Sequence, residues 1–277
     1  MNFYIITASY NSEKTILNCF NSLNNQKYFK QKLHWHVIDG DSKDDTVSIV
    51  NNINTEIKKE IISESDEGLY FAYNKGINFA KDNKNTIINF LDSDNEYYSD
   101  NVFNEVSEIF EKNNVDVVFT DLVYVNKNDK AVRFWNSKLY RNLTKKKDGI
   151  FFYDNLNLFD HFFGWSIPLP TIFVKSDFLN KNGQFNTNYS ICADYDWSLR
   201  MTTNQHFKAA YIPKVFIKMK LGGVSNKFSN LIKIKQQDLK IIFNFYKSKN
   251  IFLAIFCSIF TLIFKNIRKL PQFFVKH

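Results

Sequence analysis

Asp92 and Asp94 stand one residue apart in FLDSDN, directly after the apolar run TIINFL. A strand that breaks there projects both carboxylates towards the crevice beyond it. Two such groups repel each other unless a cation lies between them, and a divalent ion can bridge carboxylate and phosphate oxygens at once. Asp and Ser also end strands and cap helices, so the pair alone is ambiguous. A second acidic pair, Asp194 and Asp196 in ADYDW, cannot act in the same way, because positions i and i+2 of a helix do not face each other. One can face a crevice and the other solvent. Asp194, at a helix start, is either an N-cap or a general base positioned to take a proton from a hydroxyl of high pKa.

The elements that must hold these groups follow from periodicity. Short apolar runs at 3–7, 34–39, 60–63, 86–91 and 115–120 predict strands, and they alternate with helical patterns at 13–23, 45–53, 69–80 and 100–113. Ser42 or Asp44 is a plausible cap for the second helix. This β-α alternation predicts a mainly parallel α/β sheet covered by helices. Further on, 122–125 and 131–135 read as a hairpin and 171–174 as a strand. Residues 176–182 read as a short helix ended by Gly183, and 193–201 as a helix start. Two strands within 208–220 are split by Pro213, and 233–250 is helical. Ligands of such sheets bind beyond the carboxyl ends of the strands. Those ends are Ala8-Ser9-Tyr10-Asn11, Asp39-Gly40-Asp41-Ser42, Glu64-Ser65-Asp66 and Asp92-Ser93-Asp94, which together carry six carboxylates.

Other chemistries are disfavoured. No GxxxxGK[ST] and no GxGxxG follows the first strand, which argues against a P-loop ATPase or a dinucleotide oxidoreductase. Cys19, Cys192 and Cys257 are scattered and odd in number, so a reduced intracellular setting is expected, and the histidines lack metal-ligand spacing. MNFYIITASYN reads as a first strand rather than a signal peptide.

In order along the chain, six segments resemble family-2 glycosyltransferases of the GT-A fold, particularly bacterial enzymes of surface-polysaccharide biosynthesis such as O-antigen or capsule. The segments are ITASYN, VIDGDSKDDT, SESDEGLYFAYNKGINFA, FLDSDN, NGQFNTNYSICADYDWSLRM and KMKLGGVSN, and they span roughly residues 1–226. The resemblance implies an inverting, metal-dependent transfer from a nucleoside-diphosphate sugar, with UDP the expected nucleotide. The acceptor would be a glycan, typically polyprenyl-linked. Ala8, Ser9, Tyr10 and Asp39 would line the base and ribose, and Asp66, Lys75, Asp92 and Ser93 would flank the donor. Asp94, with Asp92, would hold Mg²⁺ or Mn²⁺, and Asp194 would be the general base. Trp165, Trp197, Arg200, Gly222 and Gly223 are acceptor-side or loop candidates. Asn95 stands where a third Asp is frequent, which implies one ion rather than two. Leu169 replaces a common His, Phe71 a common Asp and Tyr73 a common Met. Other readings are a sugar nucleotidyltransferase, against which the first loop lacks the Gly-rich basic pattern, and a non-catalytic partner subunit on the same fold.

Charge divides the chain. Residues 201–277 hold 14 Lys and Arg against Asp238 alone, a net +13, so residues 1–200 carry 8 − 13 = −5. The apolar run 251–264 is shorter than the roughly 18–20 residues that span a bilayer. Flanked by basic residues, it predicts a helix lying on anionic lipid. The expected organisation is a GT-A domain over 1–226 and a basic, amphipathic helical extension over 227–277. The protein would then be cytoplasmic and peripheral on the inner face of the cell membrane. The same helices buried on the catalytic domain, or in a homo-oligomer, are the alternative. Nucleic-acid binding is not expected, since no recognised motif accompanies the charge.

Overall fold

The computed structural model describes residues 1–80, 85–139, 143–154, 166–221, 230–247 and 250–269. Trp165, Gly222 and Gly223 lie outside these residues.

The strands are β1 (Asn2–Ser9), β2 (Leu33–Asp39), β3 (Lys58–Ser63), β4 (Thr86–Phe90), β5 (Asn95–Tyr97), β6 (Val117–Val125), β7 (Ala131–Trp135), β8 (Leu143–Lys147), β9 (Ile150–Asp154), β10 (Ile172–Lys175) and β11 (Lys208–Lys220). The helices are α1 (Ile16–Asn24), α2 (Thr46–Asn52), α3 (Leu69–Ala80), α4 (Val102–Lys112), α5 (Ser176–Asn182), α6 (Ala193–Thr202), α7 (Leu231–Lys247) and α8 (Ile251–Lys269). One sheet runs β3-β2-β1-β4-β10-β6-β11-β9-β8, with β5 on β11 and β7 on β6.

The first four strands of that order are parallel. β10 then enters antiparallel between β4 and β6, and β11 is parallel to β6. The sheet is thus mixed, with a parallel half built from residues 1–90. The chain leaves β1 towards β2 and β3 and returns on its other side as β4, which makes the β1–β4 boundary a switch point where a crevice opens.

Burial on both faces explains the continuous apolar strands. Along β1, Tyr4, Ile6 and Ala8 enter one core, and Phe3 and Ile5 the other. The first core takes the buried sides of α3, α6, α7 and α8, and the second those of α1 and α4. The extension expected from residue 227 therefore contributes Ile241, Ile242, Tyr246, Ala254 and Cys257 to the same core as Ile6 and Phe90. α3 lies tight against the sheet: a Cβ at Gly76 would come within 2.3 Å of Ile6 Cγ2.

Two sequence boundaries dissolve. The segments 115–120 and 122–125, read as separate strands, are one strand, β6. Asp121 at their junction is buried, with its carboxylate accepting from Tyr211 Oη at 2.8 and 2.9 Å and from the Ser137 N–H at 2.7 Å. Pro213 does not split β11. It is exposed at a register shift between Tyr211 and Val215, where its missing N–H interrupts no ladder bond. β5 is too short to show a period, whereas the β8–β9 hairpin carried a signal that went unused: the Asp148-Gly149 turn, both residues at positive φ, before the apolar run of β9.

Candidate active site

The crevice at the ends of β1 to β4 brings together most of the residues expected to bind the donor, but they do not play equal parts. Asp39 is fully buried, and its carboxylate accepts from Ser42 N at 2.9 Å, Ser42 Oγ at 2.5 Å and Ser63 Oγ at 2.7 Å. It builds the turn at the end of β2. In the same turn Asp44 accepts from the N–H groups of Glu13 and Thr46 at 3.1 Å each, stitching the β1 loop to the start of α2. Asp41 pairs with Lys43 at 2.6 Å and Glu64 with Lys75 at 3.0 Å, both at the surface. Lys75 is thus at the crevice rim with a partner already in place.

Of the six strand-end carboxylates, only Asp41 and Glu64 have an ion pair among the described residues; Asp39 is held by serines, and Asp66, Asp92 and Asp94 are the rest. Asp66 accepts from Gly68 N at 2.8 Å through one oxygen; the other is buried with no hydrogen-bond partner among the described residues, beside Gly40. Ser9 Oγ and Asn95 Oδ1 are buried and unpartnered in the same sense. Unsatisfied buried polar atoms cost free energy and call for a ligand or water. Ala8 is buried, Tyr10 is 63% exposed at the lip, and Ser93 shares a 2.7 Å hydroxyl contact with Ser12.

FLDSDN forms a tight turn, closed by Asn95 N donating to the Asp92 carbonyl at 2.9 Å and by Ser93 N donating to the Ala8 carbonyl at 3.2 Å. Ser93 and Asn95 are buried while Asp92 and Asp94 between them are half-buried, so the two carboxylates share an outlook. Tyr73 Oη donates to Asp92 Oδ1, and Asn95 Nδ2 donates to Asp92 Oδ2 at 3.1 Å. Burial, and then the neighbouring charge of Asp94, push the Asp92 carboxyl up to about 7, with Tyr73 pulling the other way. Burial also raises Asp94, opposed by the Lys220 ammonium at the end of β11.

Asp194 lies in the first turn of α6. Its side chain is not the N-cap; that position is Cys192, which makes no side-chain cap bond. Asp194 Oδ1 instead accepts from Tyr70 Oη at 2.9 Å, and the same hydroxyl reaches the Ile191 carbonyl at 2.7 Å. Burial raises the Asp194 carboxyl, and the Tyr70 hydrogen bond and the Lys265 charge oppose it. The Asp194 charge also raises Asp92, which places the two acids within electrostatic reach of each other.

Two phenols three residues apart on α3 therefore serve the two acids: Tyr73 for Asp92 and Tyr70 for Asp194. Both phenols are buried and have their pKa raised well above the ordinary value, so they stay protonated donors. Sequence reasoning noted Tyr73 only as a departure from Met and missed Tyr70 and Lys220. The available signal was the i, i+3 spacing, which sets both rings on one helical face.

Trp197 and Arg200, expected on the acceptor side or on a loop, make their contacts with a loop. Trp197 is 0% exposed, packs on Phe90 and Phe185, and donates Nε1–H to the Gly183 carbonyl at 2.9 Å. Arg200 pairs with Asp196 at 3.0 Å and donates to the carbonyls of Asn182 at 2.5 Å and Gln184 at 2.8 Å. Both hold the loop after α5. Leu169, where a His was the common residue, is buried in a short turn before β10.

The donor set suits a hard divalent cation. Two carboxylates in one turn supply oxygen ligands, and no group of three or more acidic, His or Cys side chains forms a closed cage among the described residues. Phosphate oxygens of a ligand would complete such a shell.

A mixed sheet of this order, with an acidic crevice at its switch point, defines a GT-A glycosyltransferase framework, and solved structures of that kind superpose on it. The S. aureus TarS 1–349 structure matches with a TM-score of 0.66 at 16% identity, covering 95% of this chain and 71% of that one. TarS 1–349 in complex with UDP-GlcNAc gives 0.63 at 18%, covering 88% and 67%. The mannosyltransferase PcManGT from Pyrobaculum calidifontis, in complex with GDP-Man and Mn²⁺, gives 0.61 at 15%, covering 95% and 73%. This chain matches only 40% of the longer S. aureus TarS structure. Among curated proteins, the PGL/p-HBAD biosynthesis glycosyltransferases of Mycobacterium bovis and Mycobacterium tuberculosis are 25% identical over 228 residues, 81% of this chain and 79% of theirs. The model of glycosyl transferase family 2 matches residues 4–167, more than half the chain, and the chain belongs to that family.

Proposed function

We propose that the protein transfers a sugar from a nucleoside-diphosphate sugar, with UDP as the nucleotide, to a hydroxyl of a saccharide acceptor, inverting the anomeric carbon. The observation that carries this reading is that one helix, α3, binds both acidic segments: Tyr73 holds Asp92 in the turn after β4 that also bears Asp94, and Tyr70 holds Asp194 on α6.

Asp94, with Asp92, would hold Mg²⁺ or Mn²⁺, which supplies charge neutralisation for the departing diphosphate. Ser9, Asp66 and Ser93 sit at the strand ends where nucleotide and diphosphate would lie, and the unsatisfied oxygens of Ser9 and Asp66 would gain partners there. Tyr73 and Asn95 fix the Asp92 carboxylate. Tyr70 fixes that of Asp194, which takes the proton of the attacking hydroxyl; its raised pKa makes it a better base than an exposed carboxylate. With one carboxylate as base and no covalent step assigned to another, a single displacement follows, and it inverts the sugar. Holding both substrates in that geometry supplies much of the rate.

The acceptor reading extends to lipid-linked glycans in surface-polysaccharide assembly. α8 buries its small residues Ala254, Cys257, Ser258 and Thr261 and exposes large ones, with Phe252 79% and Ile259 57% exposed. This inverted face and the +13 charge of residues 201–277 fit an anionic lipid surface. No helix among the described residues is long and apolar enough to cross a membrane. In a flotation assay, anionic vesicles should retain the protein, zwitterionic ones should retain less, and Phe252→Ser/Ile259→Ser should release it. A concentration-dependent dimer that the double variant abolishes, without vesicle binding, would assign the face to a second copy instead.

Donor identity is tested by thermal stabilisation with a panel of nucleotide sugars, with and without Mn²⁺. One UDP-sugar should stabilise in a Mn²⁺-dependent way. Stabilisation by none of the panel would sink the transferase reading.

A further inference from the structure

We infer that Gln237 on α7 and the Lys265–Asp238 pair joining α8 to α7 are positioning residues for Asp194. The inference rests on Asp194 being the general base.

α6 begins without a side-chain cap of its own. The donors of a helix start need partners from elsewhere. Gln237 Oε1 accepts from both Ile191 N and Cys192 N at 3.1 Å, and its Nε2 donates to Ser190 Oγ at 3.0 Å. One side chain from the C-terminal helices thus grips three consecutive residues that end two positions before Asp194. The Ile191 carbonyl and Asp194 share the Tyr70 hydroxyl, so displacing this loop displaces the base and its donor together. Asn244, two turns further along α7, donates to Tyr189 Oη at 3.1 Å and extends the grip.

Lys265 works from the other side. Its ammonium is 2.8 Å from Asp238 Oδ1 and 3.6 Å from the centroid of Tyr195, the residue after Asp194. Both partners of the ion pair are largely buried. A buried ammonium over an aromatic face is held by the ring quadrupole as well as by its carboxylate. The arrangement clamps α6 between α7 and α8 and sets a fixed positive charge near the base. Besides burial, the groups that act on Asp194 are Tyr70 on α3, Lys265 on α8, the backbone N–H of Tyr195 and Asp238 on α7.

The test is steady-state kinetics of the full chain. Gln237→Met removes the acceptor and should lower kcat about tenfold or more while the donor KM stays within about twofold, since misplacing a catalytic group costs turnover rather than donor affinity. Gln237→Glu keeps both acceptor bonds, with Ser190 Oγ able to turn donor, and should restore kcat. Lys265→Met/Asp238→Asn removes the ion pair without stranding a charge. It should lower kcat in the same selective way, and it decides the matter if Gln237→Met does not fold. Unchanged kcat in folded Gln237→Met, or no recovery in Gln237→Glu, overturns the inference. Asp194→Asn separates this from the underlying reading: if it remains active, the base assignment has failed. If it is inactive while Gln237→Met is fully active, only the positioning role has.

Discussion

The donor side and the base side of the crevice are held together by different mixtures of local and distant contacts. On the donor side the contacts are part short and part long in sequence: Asp39 is held by Ser42 and Ser63, Asp44 by Thr46 and Glu13, and Asp92 by Asn95 and Tyr73. On the base side they are long: Asp194 depends on Tyr70 from α3, and its loop on Gln237 from α7. Each donor-side turn is partly formed by its own residues and then tied to a neighbouring element. A base assembled from three distant helices is placed only when the whole core forms.

That contrast predicts unequal sensitivity. The largest effect is expected at Asp94. Asp94→Ala should abolish Mn²⁺-dependent stabilisation by the donor, and activity should fall by roughly a thousandfold or more, as for other losses of electrostatic stabilisation. Residual Mn²⁺-dependent binding would move the metal to Asp92 alone.

An intermediate effect concerns pH. Asp92 is raised from the ordinary carboxylate range to about 7, by burial and then by Asp94. A raised folded-state pKa means that this group's contribution to stability is present below about 4 and is lost as pH rises through about 7. Without divalent cation, the melting temperature should therefore fall across that window, and Asp92→Asn should flatten the fall. Tyr73→Phe removes the donor that favours the carboxylate and should carry the loss to higher pH. A flat profile in the unsubstituted protein would contradict the assigned environment.

The smallest effect is structural. Gly76→Ala forces a methyl against Ile6 and should cost about 1–3 kcal/mol in denaturant unfolding. Because α3 carries Tyr70 and Tyr73, kcat should fall alongside stability.

The same contrast explains what was legible in the sequence. The parallel half of the sheet and its acidic ends were readable because strand burial and turn chemistry are local signals. Which of those acids would be consumed internally was not, since Asp39 and Asp92 look alike until Ser63 and Tyr73 are in place. The helix bearing Asp194 was readable, but the neighbours of that residue were misjudged. Trp197 and Arg200 sit in the right segment, yet face the core and the loop after α5, a distinction set by tertiary packing. Gln237 and Lys265 lay in a stretch whose only sequence signal was basic charge and apolar periodicity. The antiparallel β10 could be found as a strand but not placed between β4 and β6, because that depends on non-local pairing.

In the proposed reaction, metal-assisted donor binding would belong to the turn of Asp92 and Asp94, and proton abstraction to the helix of Asp194. The most direct measurement is a pair of assays on Asp194→Asn: donor binding with Mn²⁺ by calorimetry, and transfer to acceptor. Donor affinity should stay within about threefold of the unsubstituted protein while turnover falls by at least about a thousandfold, the scale of losing a positioned base together with its geometry. Transfer at anything near the original rate would contradict this division of roles.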